Sequence, residues 1–230
     1  MQACANWIDG GPQPSRADQW LDVTNPATGA VIARVPLSTA EEVEQAVQSA
    51  ERAFADWGCW PPVERARVMF RFQQVLRDHF DELARLIVED NGKTLAEAKG
   101  SVQRGIEVVE FAAGIPSLGM GDVLKDIAPG VDCEMIRQPL GVVAGFTPFN
   151  FPVMVPLWMI PIALACGNTF VLKPSERAPL AGLRIAELFA ECGAPPGTWN
   201  VLHGTARVAE QLMADPRIQA VSVVGSSPIA

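Results

Sequence analysis

The chain contains no C-x-x-C pair, no Gly-x-Gly-x-x-Gly loop, no internal repeat and no low-complexity segment. Its five cysteines, Cys4, Cys59, Cys133, Cys166 and Cys192, are odd in number and irregularly spaced, which argues against both a disulfide framework and a zinc site. Basic residues are the minority: 18 Lys and Arg against 26 Asp and Glu leave a formal net charge of -8. That balance does not suit nucleic acid as the main partner, because phosphate binding needs a basic face, although an anionic ligand can still be held locally. No basic stretch followed by an apolar segment opens the chain, so secretion is not expected and a reducing cytoplasm fits best.

What is present is a chain of 230 residues, 49% hydrophobic and 19% charged, a composition that builds a folded core and is unlike a disordered segment. From Gln138 to Leu172 there is no charged residue, and the run then ends in Lys173, Ser175, Glu176 and Arg177. It is long enough to cross a membrane. Pro148, Pro152, Pro156 and Pro161 interrupt it, however, and Asn150 and Asn168 would be left unpaired in lipid, so no membrane partner is expected. The pattern predicts a strand over 141–146, a polar turn over 147–151, a helix over about 153–166 and a strand over 169–172, which is a β-α-β unit. Ligands of open parallel sheets bind beyond the carboxyl ends of the strands, so Asn150 and Lys173 are predicted to share one rim.

Before this stretch, residues 6–11 and 20–24 read as an exposed, hairpin-like start, followed by a strand over 31–35. Ser38 and Thr39 precede Glu41 and Glu42 at capping-box spacing. Val43, Ala46, Val47, Ala50, Phe54 and Trp57 then recur at helical spacing. Pro61-Pro62 starts a second helix, residues 81–90 continue helical to an Asn91-Gly92 stop, and a further helix spans about 95–113. Residues 114–130 read as loop and 132–138 as strand. Beyond the central stretch come a helix over 180–192, a strand over 199–202, a helix over 208–214 and a strand over 220–224. The alternation predicts a doubly wound parallel α/β sheet.

FTPFNFP and GNTFVLKPSE, with NPATG from Asn25, WNVLHG from Trp199 and the terminal VSVVGSSPIA, resemble the aldehyde dehydrogenase superfamily. They are most similar to the front half of its CoA-acylating methylmalonate-semialdehyde branch. The resemblance implies a Rossmann-like NAD-binding domain in three parts: residues 1–120 as helices and strands of that domain, 121–139 as part of a hairpin used in subunit pairing, and 140–230 as the β-α-β core. It also implies NAD as cofactor, a small semialdehyde as substrate, coenzyme A as acyl acceptor and a homo-oligomer at full length.

The residue roles are partly open on chemistry alone. Asn150 is either a turn asparagine bonding its own backbone or, as PFNFP implies by resemblance, the donor to an oxyanion. Arg104 is either half of a helix-surface ion pair with Glu107 or, by resemblance of RGIEVVEFAAG, the group that meets the substrate carboxylate with a two-pronged bond. Lys173 and Glu176 are either a solvated loop pair or, as Lys-Pro-Ser-Glu implies by resemblance, the contact to the adenosine ribose hydroxyls, with Arg177 following as in the semialdehyde branch; Thr147 and Phe149 match, by resemblance, positions beside the nicotinamide half. Gly225 and Ser226, with Pro228 behind them, read as a helix entry that favours pyrophosphate. His203 reads as a strand-end histidine. Cys166, between apolar neighbours, reads as an inert thiol. No cysteine matches the family's nucleophile, and its general-base glutamate is also not found before Ala230, so the chain by itself is expected not to complete the reaction. The alternatives are a catalytically silent nucleotide-binding module, or a dehydrogenase for another semialdehyde.

Overall fold

The structure is a computed structural model describing residues 2–227. Five short strands come first: β1 (Gln2–Ala3), β2 (Asn6–Ile8), β3 (Gly11–Gln13), β4 (Trp20–Thr24) and β5 (Val31–Pro36). Helices α1 (Ala40–Trp57), α2 (Pro62–Asp78), α3 (Phe80–Asn91), α4 (Leu95–Ala113) and α5 (Ile115–Leu118) follow, then β6 (Asp122–Ala128) and β7 (Val131–Met135). The remainder alternates: β8 (Val142–Phe146), α6 (Met154–Ala165), β9 (Thr169–Lys173), α7 (Leu180–Ala190), β10 (Trp199–Val201), α8 (Ala206–Ala214) and β11 (Ile218–Val223).

Local chemistry sets the helix ends. Thr39 and Thr94 each accept the N–H three residues on, and Glu42 and Glu97 return the bond to the capping backbone, so two capping boxes start α1 and α4. Pro62 occupies the first position of α2, where its missing N–H has no consequence. Gly92 ends α3 at a φ of 81°, a conformation that glycine adopts without strain.

The main sheet has the order β11-β8-β9-β10-β2-β3. β8, β9, β10 and β11 run parallel, while β2 joins β10 antiparallel. The chain steps outward from β8 to β9 and β10, then returns to lay β11 on the other side of β8. The strand order therefore reverses between β8 and β11, which is where open sheets of this kind form a crevice. Alternate side chains enter two cores. Val142, Ala144, Val171 and Leu202 pack with residues of α1 and α8, while Val143, Phe170, Leu172, Trp199 and Val201 pack with residues of α2, α3, α4, α6 and α7. Helices thus cover both faces, giving the doubly wound parallel α/β fold.

α6 lies against α4 through a glycine: a Cβ on Gly105 would sit 2.6 Å from Leu157 Cδ1. Among the described residues no helix is long and apolar enough to cross a membrane.

Three expectations are corrected. Residues 6–11 do form a hairpin, turning through Asp9 and Gly10 at positive φ. β2 is not exposed, however: it lies between β10 and β3 in the main sheet, and Asn6 and Ile8 are buried. Trp20–Thr24 belongs instead to a separate sheet, β1-β5-β4. The expected loop over 114–130 contains α5 and the strand β6, paired antiparallel with β7. Every residue of this hairpin is exposed, so no buried face imposed the alternation by which a strand is read. Cys166 lies just past the end of α6 and is exposed, not enclosed in the helix.

Candidate functional site

The carboxyl ends of three parallel strands are tied together. Thr147 N–H donates to the Lys173 carbonyl (3.4 Å) and Val224 N–H to the Phe146 carbonyl (3.1 Å). Thr147 is buried, and the turn after it brings Phe149 and Asn150 to the surface just before α6. Side chains from elsewhere support that turn. Asn91 Nδ2 donates to the Phe149 carbonyl at 2.7 Å. The Lys93 ammonium stands 3.5 Å from the centre of the Phe151 ring, and the Arg177 guanidinium 5.6 Å from that of Phe149.

At the end of β9, Lys173 is only 8% exposed. Its Nζ donates to the Pro174 carbonyl (3.0 Å) and to Glu176 Oε2 (3.3 Å). Burial lowers the Lys173 pKa, and the Glu176 carboxylate opposes that shift. The pair leaves Glu176 partly open to solvent. A donor and an acceptor are therefore fixed beside each other at a strand end, the combination that a vicinal diol recognises.

Two grooves adjoin these elements. The larger, about 540 Å³, is walled by Phe149, Glu176 and Arg177 on one side and by Thr24, Pro26, Asp90 and Asn91 on the other. Asp90 Oδ2 accepts the Leu180 N–H at the start of α7 (3.0 Å), while its buried Oδ1 has no hydrogen-bond partner. Burial pushes the Asp90 carboxyl up to about 7, against the backbone N–H groups that lower it. The second groove, about 440 Å³, runs between α4 and α6 and is lined by Arg104, Glu107, Val108, Phe111, Trp158 and Ile162. Trp158 lies four residues into α6, about 6 Å along its axis from the helix start beside Asn150.

Of the residues singled out in the sequence, Phe149, Glu176 and Arg177 meet in one groove; Lys173 is bonded to Glu176, and Thr147 is tied to the Lys173 carbonyl through its backbone. Arg104 lies in the other groove. Its expected partner Glu107 accepts instead from Gln103 (3.1 Å), and Arg104 has no ion pair or hydrogen bond among the described residues. Gly225 and Ser226 follow β11 and are exposed. Pro228 lies outside the described residues, and no helix entry is described there. His203 is buried, with no well-formed hydrogen bond to either ring nitrogen among the described residues; burial pushes its pKa down to about 4, with the Ala5 backbone opposing the shift and Lys173 adding to it. Burial also raises the Cys4 thiol to about 11 and the Cys192 thiol to about 12. Cys166, exposed as a residue but with its thiol pKa raised by partial burial against a nearby Arg65, precedes β9 and so lies at the end of the sheet away from the rim.

Asn91, Lys93, Asp90 and Trp158 were not legible as site residues. Asn91-Gly92 signals a helix stop, and nothing local indicates that the stop rests against a turn 58 residues later.

Comparison with known proteins places this geometry. The profile of the Aldehyde dehydrogenase family matches residues 13–230. Malonate-semialdehyde dehydrogenase 1 of Geobacillus kaustophilus is 57% identical over 225 residues, which are 98% of this chain and 46% of that protein. The crystal structure of methylmalonate-semialdehyde dehydrogenase from Oceanimonas doudoroffii superposes with a TM-score of 0.97 at 48% identity, over 100% of this chain and 47% of that one. A Sinorhizobium meliloti 1021 protein crystallised with NAD gives a TM-score of 0.98 at 44% identity, with the same coverage of each chain. The chain thus spans about half the length of the relatives it matches. With the doubly wound sheet and the rim at its strand ends, these likenesses establish that the chain belongs to the aldehyde dehydrogenase family.

Proposed function

We propose that this chain is the cofactor-binding part of an NAD-dependent, CoA-acylating malonate- or methylmalonate-semialdehyde dehydrogenase. The observation that carries the proposal is the Lys173–Glu176 pair at the end of β9, one strand away from the turn that bears Asn150. Its support is the names and the NAD complex of the relatives above. Lys173 and Glu176 would hold the adenosine ribose, Thr147 and Phe149 would border the nicotinamide half, and Gly225 and Ser226 would face the phosphates. Arg177 would close the groove beside Phe149. When bound, NAD supplies the hydride acceptor.

The chain's residues serve the substrate as follows. Asn150 offers its amide N–H to the oxyanion that forms when a thiol adds to the aldehyde. Arg104, free in the groove between α4 and α6, meets the substrate carboxylate. The stoichiometry balances as semialdehyde carboxylate, CoA thiol and NAD giving acyl-CoA, carbon dioxide and NADH. The aldehyde hydrogen leaves as hydride, and the thiol proton ends on the carbon that loses carbon dioxide. Residues 1–120 and 140–230 form the cofactor-binding part in this proposal. The 121–139 hairpin, with Val123, Leu124 and Ile127 exposed, pairs subunits in a homo-oligomer. Five free thiols suit the reducing cytoplasm.

The position of Cys166 away from the rim, and of Cys4 and Cys192 in the core, favours one competing reading, a module that binds NAD without turnover. Protein purified from its source and given malonate semialdehyde, NAD and CoA decides between them. CoA-dependent NADH formation with release of carbon dioxide supports the dehydrogenase. NAD binding with no NADH supports the silent module, and turnover of other semialdehydes alone moves the substrate assignment.

A further inference from the structure

The asparagine at the rim has no hydrogen bond of its own, and Phe149 and Asn150 make no backbone–backbone hydrogen bond among the described residues. The turn is held from outside. Asn91 binds the carbonyl of the residue before Asn150 (2.7 Å), and Lys93 covers the ring of the residue after it (3.5 Å). Asn91 ends α3, and Lys93 lies in the three-residue connection between α3 and α4. That connection is itself fixed: Gly92 closes α3 at positive φ, with a would-be Cβ only 2.6 Å from Pro26 Cγ, and the Thr94 capping box opens α4. Lys93 also reaches Ser101 Oγ at 3.4 Å.

We propose that Asn91 and Lys93 are positioning residues, which clamp the turn from both sides and so aim the Asn150 amide. The inference rests on the assignment of Asn150 as the oxyanion donor. A donor of this kind acts through preorganisation, and misplacement by about 1 Å costs on the order of a hundredfold in rate. An ammonium over an aromatic face suits the task, because the attraction strengthens as water is excluded. Lys93 is half-buried, and burial lowers its pKa against the opposing field of Glu97.

The test is nitrogen-15 relaxation of Asn150 in the 230-residue chain. In the unmodified chain the Asn150 order parameter is expected near that of rigid backbone, about 0.85, falling toward about 0.6 in Lys93→Met and in Asn91→Ala. Lys93→Arg, which keeps the cation over the ring, restores it, and the melting temperature stays the same throughout. Phe151→Leu gives the same loss, with no further loss when Lys93→Met is added. An order parameter that does not move in Lys93→Met, or that Lys93→Arg fails to restore, overturns the clamp. Turnover separates the two assignments. In the dehydrogenase of which this chain is proposed to be part, Lys93→Met lowers kcat about fivefold with KM unchanged, and does nothing further in an Asn150→Ala background. If Asn150→Ala leaves kcat unchanged while the order parameter responds, the oxyanion assignment fails and the clamp is structural alone.

Discussion

The rim at the ends of β8 and β9 and the groove between α4 and α6 differ in how far the chain completes them. At the rim Lys173 already meets Glu176 and the guanidinium of Arg177 faces Phe149, while the buried Asp90 Oδ1 is left without a partner among the described residues. In the groove, Arg104 stands among Glu107, Val108, Phe111, Trp158 and Ile162, and among the described residues it makes no ion pair, Glu107 accepting from Gln103 instead. A prebuilt rim binds with little ordering cost and is suited to a ligand that is always the same. A guanidinium without an ion pair is free to meet a carboxylate with two parallel bonds, which is the role proposed for Arg104. Both grooves border the short segment from Phe149 to Trp158, which links the ends of β8 and α6.

The sharpest way to break this division is at the residue between the two regions. In the dehydrogenase of which this chain is proposed to be part, Asn150→Ala is expected to lower kcat for NADH formation by about a hundredfold or more, with NAD affinity unchanged; a loss seen in NAD affinity instead would assign Asn150 to the rim alone. Next, Arg104→Met should raise KM about thirtyfold for an aldehyde that carries a carboxylate and leave an uncharged aldehyde unaffected, since a charge-assisted bond is removed. Equal effects on both aldehydes would make Arg104 part of the packing of α4.

Below the rim, His203 provides a pH test. Its folded pKa of about 4 lies below its unfolded value of 6.5, so between these limits the unfolded chain binds the extra proton. Stability is then complete above about pH 6.5 and is lost as pH falls toward 4, by about 2 kcal/mol between pH 7 and pH 5. Urea unfolding at the two pH values reads it, and His203→Leu should flatten the difference. A slope that survives the substitution would place the proton elsewhere.

The sequence carried most of the fold because its signals were physical and local. The Thr39 capping box started α1, Gly92 ended α3, and the uncharged run of 138–172 folded into β8, α6 and β9 within a residue or two of expectation. Elements without a buried face were harder to read. β6 is exposed along its whole length, so the loop-like composition of residues 114–130 concealed a strand. The burial of β2 was invisible for a related reason: it depends on pairing with β10, almost two hundred residues away. In the candidate site, Lys173, Glu176 and Asn150 could be placed from strand ends. The absence of an Arg104–Glu107 pair, the orphan Asp90 oxygen and the supports from Asn91 and Lys93 depend on side-chain directions that one-dimensional spacing does not specify.

The most direct measurement is calorimetric titration of NAD into the 230-residue chain and into Lys173→Met, which removes the ammonium and keeps most of the stem. A cofactor site built within this chain predicts saturable binding at one site, about tenfold weaker in the variant. No binding, or equal affinity in the two proteins, would contradict a cofactor site at the end of β9.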